Sequence, residues 1–299
     1  MDDHRKDAPG TTPPITREMI DLFDDYTHLS LDRRKFMDSL ARLAGSMTAA
    51  AAAAALMASN AHAQGLSSET DARLAIETVT YPGASGEMRG YLAIPREGGP
   101  FPAVIVVHEN RGLNNHIRDV TRRMALEGFL ALAPDFLSDL GGTPADEDAA
   151  RALFQDLAPS DVAANGVATI DWLQGHMRSN GKVGAIGFCW GGGTVNNLAV
   201  ATPKLLAAVA YYGAQPRPEN VKSIKARIMA HYGGLDERIN AGIPAFRQAL
   251  EAAGTDHQIF VYEGANHAFN NDTSTARYDK AVADLAWQRT IDFLDETLG

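Results

Sequence analysis

Disulfide chemistry is excluded at the outset, because the 299 residues contain one cysteine, Cys189, and no internal bridge can form. Positive charge is also scarce. Lys and Arg number 27 against 37 Asp and Glu, a formal charge of -10, and no basic cluster stands out beyond Arg33-Arg34-Lys35. That balance lacks the electrostatic footprint of a nucleic-acid binder, while neutral or mildly anionic small molecules stay admissible as partners. Long apolar runs are missing too: the alanine-dominated stretch from Leu43 to Ala58, roughly sixteen residues, falls short of the roughly 20 that a bilayer span needs. With no internal repeat, 45% hydrophobic and 21% charged residues describe an ordinary globular chain with a full core.

The first quarter reads differently from the rest. Asp32-Arg33-Arg34-Lys35-Phe36-Met37, the alanine run and then Ala61-His62-Ala63 before Gln64 have the parts of a twin-arginine export signal. Those parts are paired arginines with Phe two positions on, a weakly hydrophobic centre and an A-x-A cleavage site. An ordinary alanine-rich helix is the competing reading. The expected organisation is a signal over 1–63, with a long acidic prefix and a short helix over Thr16 to Tyr26, then a linker over 64–75 and one domain over 76–299. The export machinery is then a partner, and the protein works in the periplasm or outside, cleaved after Ala63 and without a stable membrane span. The first 63 residues hold 7 Lys/Arg and 9 Asp/Glu, so the remainder keeps 20 and 28, or -8. A thiol retained by an exported protein needs a reason. A nucleophile supplies one, and an inert buried thiol is the alternative.

Gly187-Phe188-Cys189-Trp190-Gly191 follows the apolar residues Val183, Ala185 and Ile186 and precedes Gly192-Gly193 and a helix-like segment. This is the layout of a nucleophile elbow, in which a strand turns sharply into a helix with the nucleophile at the apex. Glycines two residues to either side avoid collisions with the neighbouring strand and helix. Ile76 to Tyr81 and Met88 to Ile94 alternate as an antiparallel hairpin at a sheet edge. Ala103 to Val107 is a β-branched run suited to a strand covered on both faces. Strands over Phe129 to Ala133, Lys182 to Phe188, Leu206 to Tyr212, Arg227 to Tyr232 and His257 to Tyr262 alternate with helices. The helices are expected over His116 to Glu127, Asp146 to Leu157, Asp161 to Met177, Gly193 to Ala201, Ile243 to Ala253 and Ala276 to Leu298. The fold class is α/β, a mostly parallel, doubly wound sheet with an antiparallel N-terminal edge hairpin and helices on both faces.

A thiol nucleophile needs a base, and the base needs an orienting acid. In such a sheet, useful side chains gather in the loops at the carboxyl ends of the strands. Behind Cys189, those loops hold Asp236, in Gly233-Gly234-Leu235-Asp236, and His267, in Gly264-Ala265-Asn266-His267. The order nucleophile, acid, histidine is that of an α/β-hydrolase. Oxyanion donors are expected from the N–H of Trp190 and from the loop after Val107. Glu109 in that loop either accepts the thiol proton, holding it until substrate enters, or makes a surface pair with Arg111. His108-Glu109 does not continue into a zinc motif, since H-E-x-x-H would need His where Gly112 stands, and neither metal nor cofactor is expected. His4, His28 and His62 belong to the segment expected to be removed; His176 and His257 stand without partner motifs.

Together with Asp236, His267 and the His108-Glu109 loop, the cysteine elbow makes the chain resemble the dienelactone hydrolase family of α/β-hydrolases. The resemblance runs from Ile76 to Leu298 and includes Pro134-Asp135, Lys182-Val183-Gly184 and Tyr211-Tyr212-Gly213. The segments His108 to Asn114 and Asp284 to Thr290 look like the exported, twin-arginine-bearing branch. The resemblance implies Cys189 as nucleophile, His267 as base, Asp236 as orienter, Glu109 as the carboxylate that tunes the thiol, and Asn110 and Trp190 as N–H donors. It also implies a small ester or lactone as substrate, opened through an acyl-thioester. One departure bears on that substrate. Members acting on dienelactone itself carry an arginine shortly after the catalytic histidine, where this chain has Ala268-Phe269-Asn270-Asn271. Arg151 approximates the second arginine of those enzymes, and Arg111 and Arg238 are substitutes for anion binding. A non-catalytic exported scaffold that binds a small molecule or partner, or hydrolysis at a carbon–halogen or carbon–carbon bond, stays open on the same fold.

Overall fold

A computed structural model describes residues 14–27, 31–58 and 65–299. The expected cleavage site Ala61-His62-Ala63 and the histidines His4, His28 and His62 lie outside the described residues. The chain divides into two compact units, residues 1–60 with 274–277 and residues 61–273 with 278–299. In the first, α1 (Arg17–Thr27), α2 (Arg33–Ala44) and α3 (Met47–Met57) bury Phe23, Tyr26, Phe36 and Leu40 with the alanine faces of α3. Asp32 caps α2 by accepting from the Lys35 amide at 2.9 Å, and Ser46 caps α3 by accepting from the Ala49 amide at 3.1 Å. No single helix among the described residues is long and apolar enough to cross a membrane. Only α2 and α3 together pass by length and composition, and they are bent by 109° at their break. Gly45 in that break has φ 83°, a left-handed backbone that glycine adopts without penalty.

The second unit is built on β1 (Leu74–Pro82), β2 (Glu87–Pro95), β3 (Phe101–Val107), α4 (Asn115–Leu126), β4 (Leu130–Asp135), α5 (Glu147–Leu153), α6 (Pro159–Gln174), β5 (Ser179–Phe188), α7 (Trp190–Ala201), β6 (Ala207–Tyr211), β7 (Arg227–Gly233), α8 (Glu237–Asn240), α9 (Ile243–Ala253), β8 (His257–Tyr262) and α10 (Lys280–Leu298). The described strands form one eight-stranded sheet in the order β1-β2-β4-β3-β5-β6-β7-β8. The β1–β2 hairpin pairs antiparallel at the edge, β2 joins β4 antiparallel, and the pairs from β4 and β3 through to β8 are parallel. This is the α/β-hydrolase fold that the alternation of strands and helices foretold.

Period-two alternation splits the central strands between two cores. Val104 and Val106 face Ile117, Val120 and Met124 of α4 and Leu294 of α10. Ala103, Ile105 and Val107 face Val162 and Ile170 of α6, Leu198 of α7 and Leu250 of α9. Ala103 to Val107 of β3 are all fully buried, so this run is apolar without interruption because both its faces are covered.

Two helix starts differ from expectation by three residues or more. Helix α7 begins at Trp190 rather than Gly193, because Gly191 and Gly192 are not loop residues. They bring the first turn of the helix against the backbones of β3 and β6. Helix α10 begins at Lys280 rather than Ala276. Asp279 caps it, accepting from the Val282 amide at 3.1 Å, while residues 274–277 belong to the other unit.

Candidate active site

The elbow is built by sterics. A Cβ on Gly187 would strike the backbone of Gly191, and one on Gly191 would strike the carbonyls of Val107 and His108. With both Cβ atoms absent, Cys189 takes φ 54° and ψ -114° between β5 and α7, a conformation that costs a non-glycine residue on the order of 1–3 kcal/mol. Its amide donates to the Tyr211 carbonyl at 3.0 Å, which pins the apex to β6. The other non-glycine residues with positive φ among the described residues are Tyr212 and Ala268. Tyr212 follows β6, and Ala268 follows His267. Backbone strain therefore collects at three strand-end loops that meet here.

Asp236 caps α8, its Oδ1 accepting from the Ile239 amide at 3.2 Å, and its Oδ2 lies 2.6 Å from His267 Nδ1. Both side chains are buried. Burial works against the charge on Asp236, but the hydrogen bond and charge of His267, with the Ile239 amide, hold its carboxyl below the usual carboxylate range. Burial likewise opposes a charge on His267. The charge and hydrogen bond of Cys189 and the Asp236 carboxylate overcome it and push the imidazole up to about 10. Since Nδ1 is committed to Asp236, Nε2 is the nitrogen left for the sulfur. The structure thus brings Cys189, His267 and Asp236, separated by dozens of residues in sequence, into one chain of contacts.

The loop after β3 supplies the next layer. His108 accepts from the Phe136 amide on Nε2 at 3.2 Å, which leaves Nδ1–H to donate to the Glu109 carbonyl at 2.8 Å. Burial keeps this imidazole below its ordinary pKa and so neutral. The close approach of Gly191 to the Val107 and His108 carbonyls sets Glu109 and Asn110 beside the start of α7, where Trp190 is the first residue. Glu109 does not pair with Arg111. It is buried and accepts from Asn271 Nδ2 at 2.9 Å, while Asn271 Oδ1 takes hydrogen bonds from the Thr273 amide at 3.1 Å and hydroxyl at 2.6 Å. One residue on, Asp272 Oδ1 meets His116 Nδ1 of α4 at 2.9 Å. Asn271 and Asp272 were not singled out in the sequence. The only local sign was their position within six residues of His267.

The arginines expected to bind anions are placed differently from one another. Arg111 is buried and its Nη1 lies 2.5 Å from Glu147 Oε2, while Arg151 is buried with Nη2 at 3.5 Å from Asp148 Oδ1. Arg238 is exposed on α8 and helps lower the Asp236 carboxyl through its charge. Aromatic side chains surround the elbow. Half-buried Trp190 stacks on His108 with ring centroids 5.4 Å apart and meets half-buried Phe154 edge-on at 4.8 Å, and the Tyr212 ring lies 4.9 Å from that of His267. Among the described residues no group of His, Cys, Asp and Glu could hold a metal ion. What the site offers is a strained thiol on a helix N-terminus, a base on an oriented histidine, and a carboxylate and backbone amides in the facing loop.

Known proteins are similar to this chain over most of its length. The sequence profile described as the dienelactone hydrolase family matches residues 88–298. A protein of Escherichia coli O157:H7 and one of Synechocystis are 36% and 34% identical, over 231 and 229 residues. The matches cover 72% and 71% of this chain and 84% and 92% of theirs, and the name both relatives carry, carboxymethylenebutenolidase, is itself provisional. The crystal structure of a provisionally named dienelactone hydrolase from Klebsiella pneumoniae matches with a TM-score of 0.68 at 32% identity, covering 74% of this chain and 98% of that one.

Proposed function

The chain belongs to the dienelactone hydrolase family and is a hydrolase of ester or lactone bonds, and from that premise we propose that it works through a Cys189–His267–Asp236 triad and an acyl-thioester. The observation that carries the triad is the 2.6 Å bond from His267 to Asp236, on an imidazole pushed up to about 10 by Cys189 and Asp236 against its own burial. A histidine so raised holds its proton at neutral pH, and its charge draws Cys189 toward the thiolate that the proposed mechanism uses. The thiolate attacks the carbonyl carbon, and the negative charge moves to the carbonyl oxygen, facing the amides of Trp190 and Asn110. As the tetrahedral intermediate collapses, the C–O bond to the leaving oxygen breaks, and His267 gives that oxygen its proton. In a lactone the new hydroxyl stays tethered. Neutral His267 then takes a proton from water, the resulting hydroxide attacks the thioester, and the C–S bond breaks to restore thiolate and imidazolium. Asp236 keeps the ring in place throughout without taking the proton, and Glu109 is the carboxylate that tunes the thiol.

The same reading sets the work outside the cytoplasm. Arg33-Arg34-Lys35-Phe36 opens α2 and the alanine helix α3 follows, the arrangement of an export signal over 1–63 ahead of a linker and the hydrolase domain, whose first strand starts at Leu74, inside the linker expected over 64–75 and two residues before the domain expected over 76–299. Sequencing the N-terminus of protein recovered from the periplasm tests it, with Gln64 as the expected first residue. The catalytic proposal is tested with Cys189→Ala. This variant should keep the fold by circular dichroism and lose hydrolysis of small esters and lactones, and undiminished turnover would sink the mechanism.

A further inference from the structure

We propose that this site takes uncharged esters or lactones with an apolar or aromatic acyl group and discriminates against substrates bearing a carboxylate. The inference rests on Cys189 being the nucleophile, and it names the substrate class of that same site.

The cations near the site are already committed. Arg111 is 7% exposed in its side chain and held by Glu147, itself 17% exposed, and Asn114 Nδ2 reaches the other Glu147 oxygen at 3.4 Å. Taking up a substrate carboxylate there would strip a largely buried glutamate of its partner, leaving a costly unpaired charge. Arg151 is held more loosely, its Nη2 lying 3.5 Å from Asp148 Oδ1 on a side chain 36% exposed. In the loop behind the base, Asn271 gives Glu109 a hydrogen bond but no positive charge.

The His267 charge is taken up by the Cys189 sulfur and Asp236, which leaves Glu109 as the buried charge beside the site that no cation balances. Glu109 is 6% exposed and makes no ion pair among the described residues. A second carboxylate brought beside Glu109 would be repelled at low local dielectric, since the charge on Cys189 is balanced by His267 and that on Glu109 is not. The surface outside the signal adds to this, at 20 minus 28, or -8, which steers anions away. By contrast, Trp190, the residue after the nucleophile, and Phe154 are half-buried and meet edge-to-face, offering flat apolar surface beside the thiol. Arg238 makes no ion pair among the described residues, acts on the Asp236 carboxylate through its charge, and is exposed to solvent on α8.

The test is a matched pair of p-nitrophenyl esters, the neutral methyl-capped succinate and the free hemisuccinate, hydrolysed by protein lacking residues 1–63 and by the full chain. The neutral ester should have a kcat/KM at least about 30-fold higher, and the gap should narrow at high salt. Asn271→Arg and, separately, Glu147→Gln should each shrink the gap several-fold, the first by adding a cation beside Glu109 and the second by releasing Arg111. Two variants are used so that misfolding of one leaves the other to decide. Equal or faster turnover of the hemisuccinate overturns the proposal, as does a loss of hemisuccinate activity confined to Arg238→Ala, which would make Arg238 the anion receptor. If both esters are cleaved, Cys189→Ala abolishes both and the anion is preferred, the substrate class falls while the nucleophile stands. If neither is cleaved, nor any other ester or lactone, the two fall together.

Discussion

Asn271 Nδ2 donates to Glu109 Oε2 at 2.9 Å, joining the loop that carries His267 to the loop after β3, across 162 residues of sequence. The bond fixes a buried carboxylate that, on the proposed mechanism, tunes the sulfur. Asn271→Leu keeps the volume and removes the donor. A hydrogen bond to a charged group contributes about 1.5–3 kcal/mol, so kcat/KM is expected to fall roughly 10- to 100-fold. Glu109→Gln should also lower it, and the double variant should lose no more than the worse single one. Strictly additive losses would show that Asn271 acts elsewhere.

The His267 pKa sets a pH dependence for stability. A histidine raised from 6.5 to about 10 in the folded chain contributes stability that is fully present below pH 6.5 and is lost as pH rises toward 10. Because the thiolate of the proposed pair has given up the proton that His267 keeps, melting temperature should fall chiefly between about pH 8.5, where a free thiol ionises, and pH 10. Cys189 is the largest influence raising this pKa, ahead of Asp236. In Cys189→Ala the fall should begin at lower pH, and an identical profile in the two proteins would refute the pairing. In the unaltered protein, iodoacetamide should alkylate Cys189 rapidly even near pH 6, and His267→Ala should slow this and shift it toward the roughly 8.5 of a free thiol.

Gly191 and Gly193 are two residues apart in one helix and make opposite predictions. A Cβ at Gly191 would collide with the Val107 and His108 carbonyls, whereas one at Gly193 has nothing nearer than the Ala214 amide nitrogen at 3.5 Å. Gly191→Ala should destabilise by roughly 2–3 kcal/mol and abolish activity by opening the elbow. Gly193→Ala should be neutral or stabilising by up to about 1 kcal/mol, because alanine favours the helix. Urea midpoints of the two variants check this, and equal midpoints would remove the steric account of the elbow.

What the sequence determined by itself were the features that depend on neighbours along the chain. Alternation in Met88 to Ile94 and the unbroken β-branched run of Ala103 to Val107 specify an edge strand and a central strand, because side-chain period and burial are local consequences of pleat and covering. Gly187-Phe188-Cys189-Trp190-Gly191 specifies a sharp strand-to-helix turn, since glycine at those spacings answers a steric need. The order of Cys189, Asp236 and His267 behind three strands then follows from topology. Tertiary structure alone decided which side chains pair once the loops meet. Glu109 went to Asn271 and Arg111 to Glu147, rather than to each other. A carboxylate buried by folding takes whichever donor the fold brings within 3 Å, and distance along the chain carries no information about that donor. The start of α7 at Trp190 was decided in the same way, by the carbonyls of β3 and β6 standing where side chains would otherwise be.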